Sequence, residues 1–508
     1  MVFVGAAIVA GAGGFYFFGV YQPNQARGVA AEQIAFWEQR YDKARACLLG
    51  DKPASPKTSE AMAIHELTDA KWNRTSCTKL VGELTRGDQY DTGIAEVEAA
   101  WERLDEASRK VAKAFVARVD TGPGGIDADA LPAALDALDA ARAELRAAAQ
   151  MDPPPTAGGQ VLPAAEIVPV AYDGKPVAQV ETVLAPSMNT VVALGPQVEM
   201  LLTAGQPPRV ARVQPHVQRS VADSAWGIVA FGPDDVQVGA IDPEGHLTGG
   251  TDLQPAKAKP KKPAANPNDD LEPMNPPESR PLFAVGGAAD GVAVAIVADD
   301  LVIARVTAGK VVVEKPIDID DHAFAAAPNG RGRAAIAWAD PEGGLHATLV
   351  RPGLPTKIVD LGSGHPDRVC VTATHAWVAT DADEFFSIDE AGIVMPHVLD
   401  GHDLVGCTEK AALIRDNGAR NKYVVCKAEC TKADIRSTNA NAWPALAGDE
   451  VVSISTRGNV IGVFRQRGEP SFYAMPAAVG LHFAQATTKV VDVLAHTTKG
   501  ATIIRVPL

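Results

Sequence analysis

Six side chains that could bind a metal or transfer protons fall within one short part of the sequence. They are His365, Asp367, His375, His397, His402 and Asp403. Imidazole and carboxylate groups are common zinc ligands and common general acids and bases. Most of the six lie beside predicted turns, where polar side chains usually contact solvent or cap a loop. The sequence therefore favours solvated turn residues and leaves a metal or acid–base site as the alternative.

Two other motifs resemble ligand sites but lack required residues. His65 and Glu66 begin an H-E-x-x-H zinc motif, but Asp69 occupies the position of the second histidine. An acidic group resembles the start of a calcium loop: Asp318, Asp320 and Asp321. It lacks the glycine and the distal glutamate of that loop. The sequence also has no phosphate-binding loop, nucleophile elbow or dinucleotide fingerprint, so we predict no cofactor and lean against an enzyme.

The six cysteines are distributed as three pairs along the chain. By position, the predicted disulfides are Cys47 with Cys77, Cys370 with Cys407, and Cys426 with Cys430. The first pair lies on two consecutive predicted helices, the second lies early in consecutive β repeats, and the third flanks a tight turn. Buried free thiols are the alternative for the first pair, and zinc is disfavoured because C-x₃-C lacks a second pair of ligands. Three disulfides indicate an oxidising compartment, the periplasm or the cell exterior.

The N-terminal segment has the composition of a membrane span. Residues 2–21 contain no charged side chain and are long enough to cross the hydrocarbon core as a helix. The segment ends in an aromatic group, as is typical of a membrane interface. We predict a transmembrane anchor over residues 1–22, with a cleaved signal peptide and a secreted protein as the alternative. Arg27 favours a cytoplasmic body, whereas the cysteines favour the opposite side.

The apolar residues from 24 to 150 have helical spacing. Breaks at Pro53, at Pro56 and at two glycine-rich clusters divide this region into four predicted helices. The third helix has the clearest apolar stripe: Ile94, Val97, Trp101, Leu104, Ser108, Val111 and Phe115. Because such stripes require burial, we predict a small α-helical bundle or a stalk of paired helices. A helix of a partner protein is the alternative cover for the stripe.

The rest of the chain has the pattern of short strands. Residues 151–165 form a predicted linker rich in proline and glycine, and residues 166–508 alternate strands with tight turns. The turns recur about every 40 residues, the length of a four-stranded propeller blade. One interval contains a proline-rich insertion, residues 254–281, which we predict to be disordered. The last repeat has two clear strands, so a strand near Ile167 to Ala171 is expected to close the ring.

These repeats resemble those of β-propeller proteins in general, although the Gly-His and Trp-Asp marks of the WD40 family are missing. The resemblance implies a C-terminal all-β propeller of seven or eight blades and assigns no functional residue. Trp226, Trp338 and Trp377 recur in comparable strands, which favours packing between blades over exposed sugar-binding positions. The predicted architecture is therefore multidomain, with an anchor, a helical domain and a propeller.

The net negative charge of the chain disfavours one class of partner, the nucleic acids. A net charge of −15 opposes binding to the phosphates of nucleic acids. The insertion contains four clustered lysines: Lys257, Lys259, Lys261 and Lys262. They could contact a partner, but a flexible spacer is the favoured interpretation. We predict a membrane-anchored, exported β-propeller that acts as a binding or assembly platform for a protein of the cell envelope. An enzyme or a sugar-binding protein with its site in the central channel is the alternative.

Overall fold

The structure is a computed structural model that describes a large part of the chain. The described residues are 22–68, 77–85, 92–121, 130–155, 158–172, 174–178, 180, 182–187, 190–195, 198–212, 218–220, 225–230, 235–241, 247–253, 280–297, 300–320, 323–329, 332–399, 401–418, 422–435, 442–476, 480–497 and 499–508. They divide into two compact units. The first comprises Met1–Ala164 with the short segments Ser455–Gly462 and Phe472–Ala477, and the second comprises the remainder.

The N-terminal part of the first unit is helical. Its described helices are α1 (Gln22–Leu49), α2 (Thr58–Thr68), α3 (Thr78–Glu83), α4 (Ala95–Thr121) and α5 (Ala130–Ala148). The region predicted as a single second helix therefore contains two described helices, α2 and α3. The predicted anchor, residues 2–21, lies outside the described residues and stays a prediction.

Among the helices that the structure describes, we find none with both the length and the apolar character that a membrane span requires.

The helices pack around one apolar core. Most of the stripe predicted for the third helix is buried in α4: Val97, Leu104, Ser108, Val111 and Phe115. Leucines of α5 join the same core. Glu38 of α1 accepts hydrogen bonds from Arg142 (2.6 Å) and Arg146 (2.7 Å) of α5, so this nearly buried carboxylate is fully paired.

The β region begins with three short strands: β1 (Glu166–Pro169), β2 (Ala171–Tyr172) and β3 (Lys175–Pro176). It continues as sheets of consecutive strands, which we call blades and number along the chain. Blade 1 contains β4 (Thr182–Ser187), β5 (Thr190–Gly195), β6 (Val198–Thr203) and β7 (Arg209–Arg212). Blade 2 contains β8 (Gln218–Ser220), β9 (Trp226–Ala230), β10 (Val236–Ile241) and β11 (Leu247–Asp252). Blade 3 contains β12 (Arg280–Gly286), β13 (Gly291–Val297), β14 (Asp300–Thr307), β15 (Lys310–Val313) and the extra strand β16 (Ile317–Asp318).

The C-terminal blades have the same order. Blade 4 contains β17 (Phe324–Pro328), β18 (Ala334–Ala339), β19 (Gly344–Val350) and β20 (Val359–Ser363). Blade 5 contains β21 (Pro366–Val371), β22 (His375–Thr380), β23 (Phe385–Asp389) and β24 (Val394–His397). Blade 6 contains β25 (His402–Cys407), β26 (Ala412–Asp416), β27 (Lys422–Cys426) and β28 (Cys430–Asp434). Blade 7 contains β29 (Trp443–Ala447), β30 (Glu450–Arg457), β31 (Val460–Arg465) and β32 (Ser471–Ala474). Blade 8 contains β33 (Gly480–Ala486), β34 (Val490–Thr497) and β35 (Gly500–Pro507), and β1 is its fourth strand.

The first β segment closes the last blade, as the sequence predicted. Strand β1 pairs antiparallel with β35, with Glu166 opposite Arg505 and Pro169 opposite Thr502. Joining the two ends of the region in one sheet removes an exposed strand edge that would otherwise be free to pair with another chain. The closed order of sheets is that of a β-propeller.

The apolar cores of the propeller lie between successive blades. Strands β13 and β18 are buried at every residue, because neighbouring blades cover both of their faces. Trp226, Trp338 and Trp377 each lie in the second strand of a blade and are no more than 7% exposed. Their predicted role in blade packing is confirmed.

The proline-rich insertion ends slightly earlier than predicted. Residues 254–279 lie outside the described residues, and β12 begins at Arg280 rather than after residue 281. Arg280 and Pro281 pair with Ile296 and Ala295, and a bulge follows Pro281. A proline fits this strand because a bulge interrupts the regular ladder of hydrogen bonds.

Candidate functional site

A cavity of about 620 Å³ lies among the first strands of five blades. Its lining comes from β17, β21, β25, β29 and β33, with one residue of β26. Because first strands from separate blades face the same space, the cavity occupies the central channel of the propeller. This volume is within the range of pockets that hold small ligands or short peptide segments.

Part of the cavity lining is apolar and covalently braced. Phe324, Trp443 and Phe483 belong to the lining and come from three different blades. Cys370 and Cys407 also line it, and their disulfide joins β21 of blade 5 to β25 of blade 6. The disulfide links two first strands directly, so it limits how far this wall can move when a ligand enters.

The cavity is also lined by four charged residues: Asp367, Arg368, Asp403 and Arg415. Asp367 and Arg368 are consecutive in β21, and a bulge between Pro366 and Arg368 removes Asp367 from the pairing with β22. Bulges are common beside functional sites.

Asp403 is the best-connected charged group of the cavity. Its Oδ2 accepts a hydrogen bond from Arg415 Nη2 (2.9 Å), and its Oδ1 accepts one from Asn417 Nδ2 (2.7 Å). Asp403 and Arg415 are direct cross-strand partners in β25 and β26. Partial burial raises the pKa of Asp403, but the two hydrogen bonds and the charges of Arg415 and Arg368 outweigh it and hold the pKa below its usual value. Asp403 is therefore an ionised carboxylate that positions Arg415.

Arg368 lies farther from its nearest carboxylate partner than Arg415 does. Its Nε lies 3.9 Å from Asp367 Oδ2, which is beyond hydrogen-bond distance, and its side chain is 61% exposed. Arg368 and Asp403 both line the cavity, and the positive charge of Arg368 contributes to the lowered pKa of Asp403. This side chain is thus accessible to a ligand in the channel.

The structure separates the six residues that the sequence grouped together. Asp367 and Asp403 line the cavity, whereas the four histidines do not belong to its described lining. His365 Nδ1 lies 3.5 Å from Asp381 at the surface, and His375 Nδ1 pairs with the hydroxyl of Thr374 at 2.8 Å. Each of these histidines is satisfied locally, beside its own turn.

His397 is held in the packing between blades 5 and 6. Its Nε2 pairs with the Ser387 hydroxyl at 2.8 Å, and its ring lies 4.9 Å from that of Trp377. Burial, with a smaller effect of the His375 charge, lowers the pKa of His397, which favours its neutral form. Among the residues that the structure describes, no three His, Cys, Asp or Glu side chains are placed to hold a metal ion.

The six cysteines form the predicted pairs: Cys47 with Cys77, Cys370 with Cys407, and Cys426 with Cys430. Only the second pair borders the cavity. The clustered lysines of the insertion, Lys257, Lys259, Lys261 and Lys262, lie outside the described residues, so their role as a contact loop stays a prediction.

Sequence reasoning missed the aromatic residues of the cavity lining and both of its arginines. A repeat signal was available for the two aspartates, because Asp367 precedes Cys370 by three residues and Asp403 precedes Cys407 by four. The extra residue in the second copy corresponds to a bulge between Leu404 and Gly406. For the aromatic residues no local signal exists, since each comes from a different blade.

No family model matches the chain, and no curated protein matches it in sequence. Solved β-propeller structures resemble it weakly. YCF48 from Cyanidioschyzon merolae is 13% identical, with 67% of this chain and 98% of that chain covered and a TM-score of 0.31. BamB from Moraxella catarrhalis is 11% identical, with coverages of 68% and 99% and a TM-score of 0.31. Human WBSCR16 is 8% identical, with coverages of 68% and 99% and a TM-score of 0.32. At such TM-scores these likenesses carry no argument about function.

Proposed function

We propose that this protein is a membrane-anchored, exported propeller of eight blades that binds a segment of a protein partner in its central cavity. The observation that carries the proposal is the composition of that cavity. Its lining combines Phe324, Trp443 and Phe483 with charged residues that include Asp403. Apolar walls with a few placed polar groups are typical of binding sites, because burial supplies affinity and the polar groups supply orientation.

The charged groups of the cavity suit binding better than acid–base chemistry. An effective general base has a pKa near the working pH. The hydrogen bonds from Arg415 and Asn417 help to hold the pKa of Asp403 below its usual value, so it is a poor proton acceptor at neutral pH. The disulfide beside it favours a preformed surface, which reduces the ordering that binding would require.

The proposed location rests on the cysteines and on the N-terminal segment. Disulfides persist mainly in the periplasm, the secretory pathway and the cell exterior. The uncharged residues 2–21 are the proposed membrane anchor for a body on that side. We therefore place the partner among the proteins of the cell envelope.

The test is site-specific photo-crosslinking in the native cell with the N-terminal segment intact. A benzoylphenylalanine replaces Trp443 in the cavity, and a matched variant carries it at Val312, which is 51% exposed on the fourth strand of blade 3. We expect a reproducible protein adduct from position 443 that is missing from position 312. Adducts from position 312 alone would refute binding in the cavity, because the partner would then contact the outer strands.

A parallel measurement tests the location. Intact cells are treated with a thiol-alkylating reagent before lysis, and the labelled cysteines are identified by mass spectrometry. We expect all six cysteines to be protected until a reductant is added. Alkylation of all six in the unreduced, native protein would overturn the proposed export.

A further inference from the structure

The disulfide at the tip of the hairpin formed by β27 and β28 is open to solvent on one side. Cys426 and Cys430 are direct cross-strand partners, and the three residues between them, 427–429, are exposed. Cys426 is fully buried, whereas Cys430 is partly exposed at the start of β28. Cys430 is therefore the sulfur of this pair that a thiol in solution can approach.

The other two disulfides lie deeper in the fold. Cys370 and Cys407 are only 4% and 1% exposed. Cys77 is fully buried, and its partner Cys47 packs against the helical core beside the buried Leu48. Exchange with an external thiol requires access to a disulfide sulfur. Access therefore favours the hairpin disulfide as the first of the three to exchange.

A histidine of the neighbouring blade contacts the accessible sulfur. His397 Nδ1 lies 3.8 Å from Cys430 Sγ, and its Nε2 lies 2.8 Å from the Ser387 hydroxyl. A disulfide sulfur has no hydrogen to donate, so the contact with Cys430 is a hydrogen bond only when Nδ1 carries the proton. The Ser387 hydroxyl can donate to the unprotonated Nε2, and this arrangement leaves the Nδ1–H group for the sulfur.

An N–H group beside a cysteine sulfur stabilises the thiolate. Negative charge develops on the sulfur when the disulfide opens, and a hydrogen bond to the charged form lowers the pKa of the thiol. The thiolate is both the leaving group and the attacking group in disulfide exchange, so this contact favours exchange at Cys430 in both directions. Lys427 of the hairpin turn is paired with Asp449 instead.

We propose that Cys426–Cys430 is a site of thiol–disulfide exchange with a dithiol protein, with Cys430 as the attacked sulfur and His397 as its hydrogen-bond donor. A thiolate of the dithiol attacks Cys430 Sγ, which forms a mixed disulfide and releases Cys426 as a thiolate that takes up a proton. The second thiolate of the dithiol then attacks its own partner sulfur in the mixed disulfide and releases Cys430. The dithiol is oxidised to a disulfide and the hairpin pair is reduced to two thiols, so two electrons and two protons are transferred.

The first test measures exchange in the folded, oxidised, full-length protein. Dithiothreitol is added under native conditions, and samples are quenched with iodoacetamide at successive times. Cysteines that are still bonded are labelled with a second reagent after unfolding and reduction, and mass spectrometry gives the rate at which each disulfide opens. We expect Cys426–Cys430 to open at least about tenfold faster than the other two, because its sulfur is more accessible. Equal rates, or slower opening of the hairpin pair, would overturn the proposal.

Glutathione, a monothiol, identifies which sulfur is attacked. The oxidised protein is incubated with glutathione, and the released cysteine is trapped with iodoacetamide. Trypsin separates the two cysteines because Lys427 lies between them. We expect glutathione on Cys430 and the alkyl group on Cys426. The reverse distribution would show that Cys430 is not the attacked sulfur.

Substitutions of His397 test its role as the donor. After brief reduction of the hairpin pair, His397→Leu should slow alkylation of Cys430 about threefold. The thiolate fraction falls about tenfold, and the higher nucleophilicity of the remaining thiolate offsets part of that loss. His397→Asn keeps an N–H group near the sulfur and should restore part of the rate.

The matched control is His375→Leu. His375 also lies beside Trp377, but its Nδ1 contacts the Thr374 hydroxyl rather than a sulfur. This variant should alkylate at the wild-type rate, and all variants should alkylate equally in denaturant. A rate that does not fall in His397→Leu would refute the role of the histidine.

The exchange site does not depend on the proposed function. Cys426 and Cys430 do not belong to the described lining of the central cavity. A missing adduct at position 443 would therefore refute binding in the cavity and leave the exchange site standing, whereas equal opening of the three disulfides would refute only the exchange site.

Discussion

The contact between blade 8 and blade 1 depends on a buried aspartate. Asp492 of β34 accepts hydrogen bonds from Arg505 Nε (2.7 Å) and Nη2 (3.0 Å) in its own blade. Its Oδ2 also accepts the backbone N–H of Gly205 in blade 1, at 2.7 Å. Its side chain is fully buried, and that of Arg505 is 15% exposed. This carboxylate therefore joins the last blade to the first across the point of ring closure.

Asp492→Ala removes the acceptor of three hydrogen bonds. It leaves the nearly buried guanidinium of Arg505 without its carboxylate, with the Gln206 carbonyl still accepting one hydrogen bond from Nη2. Breaking one partner of a buried ion pair typically costs about 3–5 kcal/mol. We expect the free energy of unfolding to fall by about that amount in the full-length protein. The measurement is chemical denaturation followed by tryptophan fluorescence. Hydrogen exchange of β1 and β35 should also become faster, because the closing blade loses the hydrogen bond from Gly205 of blade 1 to Asp492.

Blade 7 offers a matched control with the same chemistry and greater exposure. Arg465 donates to Glu450 through Nε (3.1 Å) and Nη2 (2.6 Å), as Arg505 does to Asp492. The side chains of this pair are 39% and 29% exposed. Solvent screens the interaction there, so Glu450→Ala should cost no more than about 1 kcal/mol. Comparing Glu450→Ala with Asp492→Ala therefore separates the effect of burial on the free energy of unfolding from the effect of the hydrogen-bond geometry.

A double-mutant cycle completes the test. The coupling energy between Asp492 and Arg505 should exceed about 1.5 kcal/mol, and that between Glu450 and Arg465 should stay below about 0.5 kcal/mol. If Asp492→Ala and Glu450→Ala lowered the free energy of unfolding equally, burial would not determine the strength of these ion pairs, and the prediction would be refuted. A cost below about 1 kcal/mol for Asp492→Ala would refute the role in ring closure.

Two further outcomes can be measured on the same protein. Replacing both Cys370 and Cys407 by alanine should lower the free energy of unfolding by about 2–4 kcal/mol, and an equal midpoint of denaturation in the variant would contradict this. Burial and the charge of His496 lower the pKa of His482 from 6.5, so the folded state resists its protonation. The associated stability is present above pH 6.5 and is lost as the pH falls through the lowered pKa. His482→Gln should flatten this part of the stability curve, and an unchanged acid slope would show that other groups cause it.

Much of the fold was predictable because its signals are local. Tight turns about every 40 residues predicted the blades, and the incomplete last repeat predicted that a strand near Ile167 would close it. Pairing between β1 and β35 confirms that closure. The three disulfides join the predicted pairs of cysteines. The burial of the repeated tryptophans also agrees with their positions in the repeats.

The candidate site was only partly predictable. Asp367 and Asp403 were named, but the histidines grouped with them lie outside the described lining of the cavity. Arg368 was overlooked because the residues that line the cavity with it come from other blades, and local sequence patterns do not show which strands meet there.

The sequence by itself determined the strands, the turns and the cysteine pairs, because each is set by residues that are close along the chain or in neighbouring repeats. Only the tertiary structure decided which side chains meet in the cavity and which charges are buried. Trp443 and Phe483 reach the cavity from different blades. Asp492 and Glu450 belong to similar cross-strand pairs, yet only Asp492 is fully buried. Burial and convergence depend on how distant blades pack around a common axis, a long-range property that local patterns do not encode.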